Sequence, residues 1–92
     1  MTDEILHNTK RAAILKGANE LIHGERQAHY GEPAENFGVI AEMWSAYLQY
    51  PVTASDVCHM MALLKIARLR NGPHEDSSVD GCGYLALGAE VA

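Results

Sequence analysis

The sequence predicts an all-α fold: a four-helix bundle in a single domain over residues 1–92, completed by oligomerisation. Three observations carry the helical reading. Apolar residues recur at three- and four-residue spacing through most of the chain. No stretch alternates polar and apolar for long enough to suggest a strand. The segments His29-Tyr30-Gly31-Glu32-Pro33, the loop around Pro51 and Asn71-Gly72-Pro73 interrupt the periodic stretches and leave only short connections.

The first helix is expected from residue 3 to about residue 28. Ile5, Leu6, Ala12, Ala13, Ile14, Ala18, Leu21 and Ile22 carry its apolar pattern. Gly17 and Gly24 each weaken a helix by about 1 kcal/mol relative to alanine, so its far end is expected to fray or bend. His29-Tyr30-Gly31-Glu32-Pro33 breaks the pattern, and Pro33 suits the first turn of a second helix. That helix runs to about Leu48 on a stripe of Phe37, Ile40, Ala41, Trp44 and Leu48. Thr53 followed by Asp56 signals a capping box for the third helix. Its expected buried face is Val57, Met60, Met61, Leu64 and Ala67, and Asn71-Gly72-Pro73 stops it. The fourth helix opens near Asp76-Ser77-Ser78 and runs toward the C-terminus on Val79, Cys82, Leu85, Ala86 and Ala89. Its three glycines, Gly81, Gly83 and Gly88, imply close approach of another backbone or a ligand.

Size and charge narrow the function. A chain this short buries only about 60–65% of its unfolded surface, so a lone core is marginal and a homo-oligomer, dimer or larger, is expected. Phe37, Trp44, Met60, Met61 and the glycine face of the fourth helix are the candidate interface. Net charge −5, from 12 acids against 7 bases, disfavours a nucleic-acid partner held on a basic face. No apolar run approaches the roughly 20 residues that span a bilayer, so no membrane partner is expected. The acidic start lacks a signal-peptide apolar region, and Cys58 and Cys82 match no zinc spacing. A cytoplasmic location follows as the expectation.

Two acidic pairs lie at helix starts: Glu32 with Glu35, and Asp76 with Asp80. Each offsets a helix dipole by about 0.3–1 kcal/mol. If the helices pack antiparallel or crossed, the four carboxylates converge, and such a cluster persists most easily around Mg²⁺ or a similar cation. Glu35 and Asp80 are placed to matter more than Glu32 and Asp76. Acids held together without metal repel, so Asp80→Asn is expected to raise the melting temperature. Lys65 and Arg68, three apart on the third helix, suit either a salt bridge to these acids or a clamp on phosphate oxygens. Tyr30 and Asn36 are candidate nucleoside contacts. His29 is read as a loop residue, solvated or catalytic, and Trp44 as core.

The string His29-Tyr30-Gly31, Glu35-Asn36-Phe37, Lys65-x-x-Arg68 and Asp76-x-x-x-Asp80-x-x-Gly83-Tyr84 resembles a phage-associated family of short helical proteins of unknown function. The resemblance covers about residues 20–90. More distantly the chain is similar to the all-α nucleotide pyrophosphohydrolases of the MazG type, whose E-x-x-E and E-E-x-x-D motifs bind Mg²⁺. Glu32-Pro33-Ala34-Glu35 matches the first motif. Asp76-Ser77-Ser78-Val79-Asp80 matches the second with Asp for the first Glu and Ser77 for the next. The gap between the motifs is longer here, because the third helix lies between them.

What the resemblance implies is Mg²⁺-dependent hydrolysis (Mn²⁺ substituting) of a nucleoside triphosphate to monophosphate and pyrophosphate, in a host cytoplasm if the protein is phage-encoded. Glu32, Glu35, Asp76 and Asp80 would be metal ligands. Lys65 and Arg68 would bind substrate and stabilise phosphate charge, with Tyr30 and Asn36 on the nucleoside. The alternative is a non-catalytic phage protein that binds a nucleotide or a host protein.

Overall fold

A computed structural model describes residues 8–92, and Glu25 by its backbone alone. The expected helical positions Ile5 and Leu6 lie outside the described residues. Helix α1, Lys10–His23, begins later than expected. Thr9 is extended (φ −93°, ψ 158°), and its hydroxyl accepts the N–H of Ala12 at 3.1 Å. That is an N-cap, which places the helix start after it. Gly24 (φ −103°, ψ −97°) then breaks the helix, and α2 resumes over Glu25–Tyr30. The expected bend therefore sits at Gly24, while Gly17 stays inside α1.

Gly31, at φ +74°, ends α2 in a conformation that side-chain-bearing residues rarely adopt. Helix α3, Pro33–Leu48, has the expected bounds with proline in its first turn. The hydroxyl of Ser45 donates to the carbonyl of Val52 and accepts its N–H, closing the loop after α3. Helix α4, Ala54–Arg68, opens with the expected capping box. Thr53 N–H donates to Asp56 Oδ2, and Asp56 N–H to Thr53 Oγ1, both at 3.0 Å. The Thr53 backbone N–H, with its hydroxyl second, holds the Asp56 carboxyl below the usual range. A 3₁₀ turn, Leu69–Asn71, follows, and then helix α5, Glu75–Glu90. The cap of α5 is His74: its Nδ1 accepts the Ser77 N–H at 3.2 Å and lies 2.7 Å from the Ser77 hydroxyl. Among the described residues there is no strand, so the fold is all-helical.

Helix α5 is the central element. It packs most extensively on α4 and, on its other side, along α1; α3 lies on α4, and α2 joins α1 to α3. The core gathers Phe37, Ala41, Val57, Cys58 and Leu87, with Ile22, Ile40, Trp44, Met61 and Tyr84 packed around it.

Two expected packing faces are corrected. On α4 the inward residues are Val57, Cys58 and Ala62 with Met61 half-buried, whereas Met60, Leu64 and Ala67 are exposed. On α5 they are Ser77, Gly81, Gly83, Leu87 and Gly88, whereas Leu85, Ala86 and Ala89 are exposed. The reason lies in the glycines. A Cβ built on Gly83 would sit 3.0 Å from Ile22 Cγ2, and one on Gly88 would sit 3.1 Å from Cys58 Cβ. The glycine face lets α1 and α4 close on α5, and Leu85, Ala86 and Ala89 are left outside. That face is therefore occupied within the chain, as is Phe37, so neither is free to serve the interface expected of them.

These contacts set the sign of two substitutions. Gly17→Ala places its methyl 3.4 Å from Val79 Cγ2, an ordinary contact, so the helix-propensity gain of roughly 0.5–1 kcal/mol should appear as added stability. Gly88→Ala gains the same propensity but crowds a Cβ anchored to the α4 backbone, at a cost of about 1–3 kcal/mol, and should be net destabilising. Denaturation midpoints of the two variants should move in opposite directions; movement in the same direction would refute this packing.

Candidate functional site

The site is built around Arg26, one turn before Tyr30 on α2. Arg26 is half-buried, and its guanidinium carbon lies 4.5 Å from the Phe37 ring centre, 4.9 Å from Tyr30 and 5.4 Å from Tyr84. Phe37 and Tyr84 meet edge to face at 6.3 Å and 73°, joining α3 to α5 beneath it. A guanidinium among rings is held by cation–π attraction and by the restriction of its rotamers. Its N–H edges stay available to an anion, because stacking uses only its faces. Among the described side chains no carboxylate forms an ion pair with Arg26.

Beside Arg26 is a cavity of about 210 Å³ lined by Leu21, Ile22, Arg26, His29, Tyr30, Asp80, Gly83, Tyr84 and Leu87. Its wall includes Gly83, which adds no side chain to fill it. Asp80 is not free: its Oδ2 lies 3.0 Å from Lys65 Nζ, with the two side chains 29% and 15% exposed. Burial pushes the Cys58 thiol up, with the Arg26 charge opposing, which leaves Cys58 a protonated core filler rather than a nucleophile.

The predicted site residues are distributed unevenly around this cavity. Tyr30 and Asp80 line it, and Lys65 does not, though it pairs with Asp80. His29 lines it too, from the last turn of α2 rather than from a loop. Glu32 opens instead onto a second hollow with Asn19, His23, Gln27 and Glu90, where its Oε1 accepts from Gln27 Nε2 at 3.0 Å. Ile22 and Leu87 border both hollows, and the two carboxylates line different ones. Glu35, Asp76 and Arg68 are exposed and line neither, and Asn36 is half-buried on α3. Ser77, at the position of the second glutamate of the E-E-x-x-D pattern, is buried against its His74 cap. An acid at that position would face the protein interior.

The four carboxylates expected around Mg²⁺ are thus not gathered. Among the described residues no three His, Cys, Asp or Glu side chains are grouped so as to hold a metal ion.

Sequence reading missed Arg26 and Tyr84. The signal for Arg26 was its four-residue spacing from Tyr30, which puts both on one side of a helix. Tyr84 needed the tertiary contact with Phe37.

Together these features define a small all-helical protein whose candidate site is an arginine set among aromatic rings at the edge of a small cavity. Residues 13–92 match the family described as domain of unknown function DUF6378, and the chain belongs to that family. It is 48% identical over 73 residues to the Gene 55 protein of Mycobacterium phage D29, covering 78% of this chain and 48% of that protein. It is 47% identical over 77 residues to the Gene 55 protein of Mycobacterium phage L5, covering 82% and 49%. The chain therefore spans about half the length of these relatives. No solved structure matches it significantly. Among the described residues no helix is long and apolar enough to cross a membrane.

Proposed function

We propose that this chain is a phage nucleotide-binding module, working without turnover in the host cytoplasm. The cavity beside Arg26 takes the ligand. Tyr30 and Tyr84 offer ring faces to the base, and Arg26 offers its N–H edges to a phosphate. At about 210 Å³ the cavity is smaller than the roughly 300 Å³ at which drug-sized pockets begin, so it suits a base or a sugar, with the phosphates reaching outward. His29 stands on the same wall as a further hydrogen-bonding group.

The observation that carries this reading is Arg26, half-buried against three rings beside a cavity and, among the described side chains, in no ion pair with a carboxylate. Hydrolysis, implied by the MazG resemblance, is the less supported reading. It needs carboxylates on one cavity, and Glu32 and Asp80 open onto different ones. Mg²⁺ enters the proposal only as a companion of the phosphates.

Calorimetric titration with a panel of nucleoside mono-, di- and triphosphates, each with and without Mg²⁺, tests it. Wild type should bind at least one of them. Arg26→Gln removes a charge-assisted pair worth roughly 1.5–3 kcal/mol, so affinity should fall about 10- to 100-fold. Arg26→Lys should recover little, because it lacks the planar fork. Pyrophosphate appearing in the same mixtures would favour the hydrolase. No binding by wild type to any of the panel would end the nucleotide reading.

A further inference from the structure

Eight of the twelve large apolar side chains that stand exposed among the described residues lie on α3 or α4. On α4 the outward line reads Asp56, Met60, Leu63, Ala67, and Arg70 in the following 3₁₀ turn continues it. At about 100° per residue the four positions on α4 stay within roughly 60° of arc. Beside them Met43, Trp44, Tyr47, Leu48 and Met60 border an open apolar hollow, and Tyr47 is 89% exposed.

We infer that a second copy of this chain covers this face, with the two α4 helices antiparallel about a two-fold axis at Leu63. The line on α4 is self-complementary. Asp56 lies seven residues before Leu63 and Arg70 seven after, each about 10 Å along the helix. An antiparallel pairing centred on Leu63 sets Asp56 opposite the partner's Arg70, and Arg70 opposite the partner's Asp56. A two-fold interface must use one patch twice, and this patch meets that condition. Asp56 Oδ2 is engaged by Thr53, which leaves its second oxygen for the partner. Met60, Leu63 and Ala67 between these ends carry no charge.

The shape of the chain points the same way. Its radius of gyration is 14.8 Å and its extents are 50 × 30 × 22 Å. A compact chain of this length has a radius of about 12 Å. An elongated chain whose α4 is apolar on both its inner and outer faces has the pattern of a helix buried on both sides. Two chains of net charge −5 repel in general, so contact is least costly where the patch is uncharged and its ends are opposite in sign. A different partner protein would have no reason to match the Asp56–Leu63–Arg70 symmetry.

Light scattering after size exclusion at micromolar concentration tests the inference. Wild type should run at twice the 10.0 kDa chain mass. Leu63→Glu should run at the chain mass with unchanged helical circular dichroism, since Leu63 is already 63% exposed within one chain. Arg70→Glu faces the partner's Asp56 and should weaken the dimer about tenfold or more. Leu63→Cys in a Cys82→Ser background should be joined by a short bismaleimide into a covalent dimer, whereas Leu85→Cys on the far face should not. A monomeric wild type, or an oligomer indifferent to Leu63→Glu, overturns the inference. It stands apart from the nucleotide proposal, which the titration tests alone.

Discussion

Phe37→Ala is expected to cost about 3–5 kcal/mol of stability, the range for removing a fully buried aromatic side chain. Phe37 is 1% exposed and sits in the core with Ala41, Val57, Cys58 and Leu87. Domains of this size have only about 5–15 kcal/mol in total, so the variant should be near the limit of folding. Phe37 also supports two parts of the site, the edge-to-face contact with Tyr84 and the stacking of Arg26. Its loss should therefore weaken ligand binding even where the variant still folds. Urea denaturation at fixed protein concentration measures this, as a lower midpoint with an unchanged slope. Leu15→Ala, at a position 62% exposed on α1, serves as the control and should cost under about 1 kcal/mol. Equal losses for the two variants would mean that Phe37 is no more buried than Leu15.

Asp80→Asn should lower the melting temperature, which reverses the expectation drawn from the sequence. That expectation rested on repulsion between gathered acids. Asp80 instead faces Lys65 at 3.0 Å. Removing its charge leaves the ammonium of Lys65, on a side chain 15% exposed, without its partner. Breaking a fully buried pair costs about 3–5 kcal/mol, but Asp80 is 29% exposed and water screens part of the interaction. A loss of about 1–2 kcal/mol is expected after that discount. Replacing both partners with apolar residues, Lys65→Met with Asp80→Leu, should recover most of the loss, because no charge is then stranded. A thermal double-mutant cycle reads the coupling directly. A higher melting temperature for Asp80→Asn would restore the repulsion account and weaken the ion pair as a structural element.

Helix boundaries were legible because they are local. Pro33 in a first turn, the Thr53–Asp56 box and the Asn71-Gly72-Pro73 stop each act through neighbours within about four residues. Where boundaries were missed, the signal was local but unusual. Thr9 caps α1 in the middle of what reads as one helix, and histidine is an uncommon cap for α5. The inward faces were not legible on α4 and α5. Met60, Leu63, Leu64 and Ile66 make α4 apolar on its outer side as well, so periodicity alone names no single buried face. On α5 the larger residues Leu85 and Ala89 suggested one face, and glycine supplied another.

The same division runs through the site. The residue types around the cavity were visible: Tyr30, Asp80 and Lys65 stand in motifs that can be read from the chain alone. Which of them meet was not visible. The acidic pairs look equivalent in sequence, since both open helices, yet Asp80 meets Lys65 and a cavity while Glu32 turns to Gln27 and another hollow. Arg26 carried little signal beyond its spacing from Tyr30, and the rings of Phe37 and Tyr84 reach it from α3 and α5.

The sequence by itself determined an all-helical chain, most of its helix ends and its membership of a phage-associated family. Those properties rest on spacing, capping and identity, which neighbours along the chain already specify. Only the tertiary structure decided which faces are buried and which charges pair. Both depend on how closely two helices approach, and that distance was set by three glycines meeting Ile22, Lys65 and Cys58 from other helices. Contacts between residues far apart in sequence leave no periodic trace, so they appear only once the helices are packed.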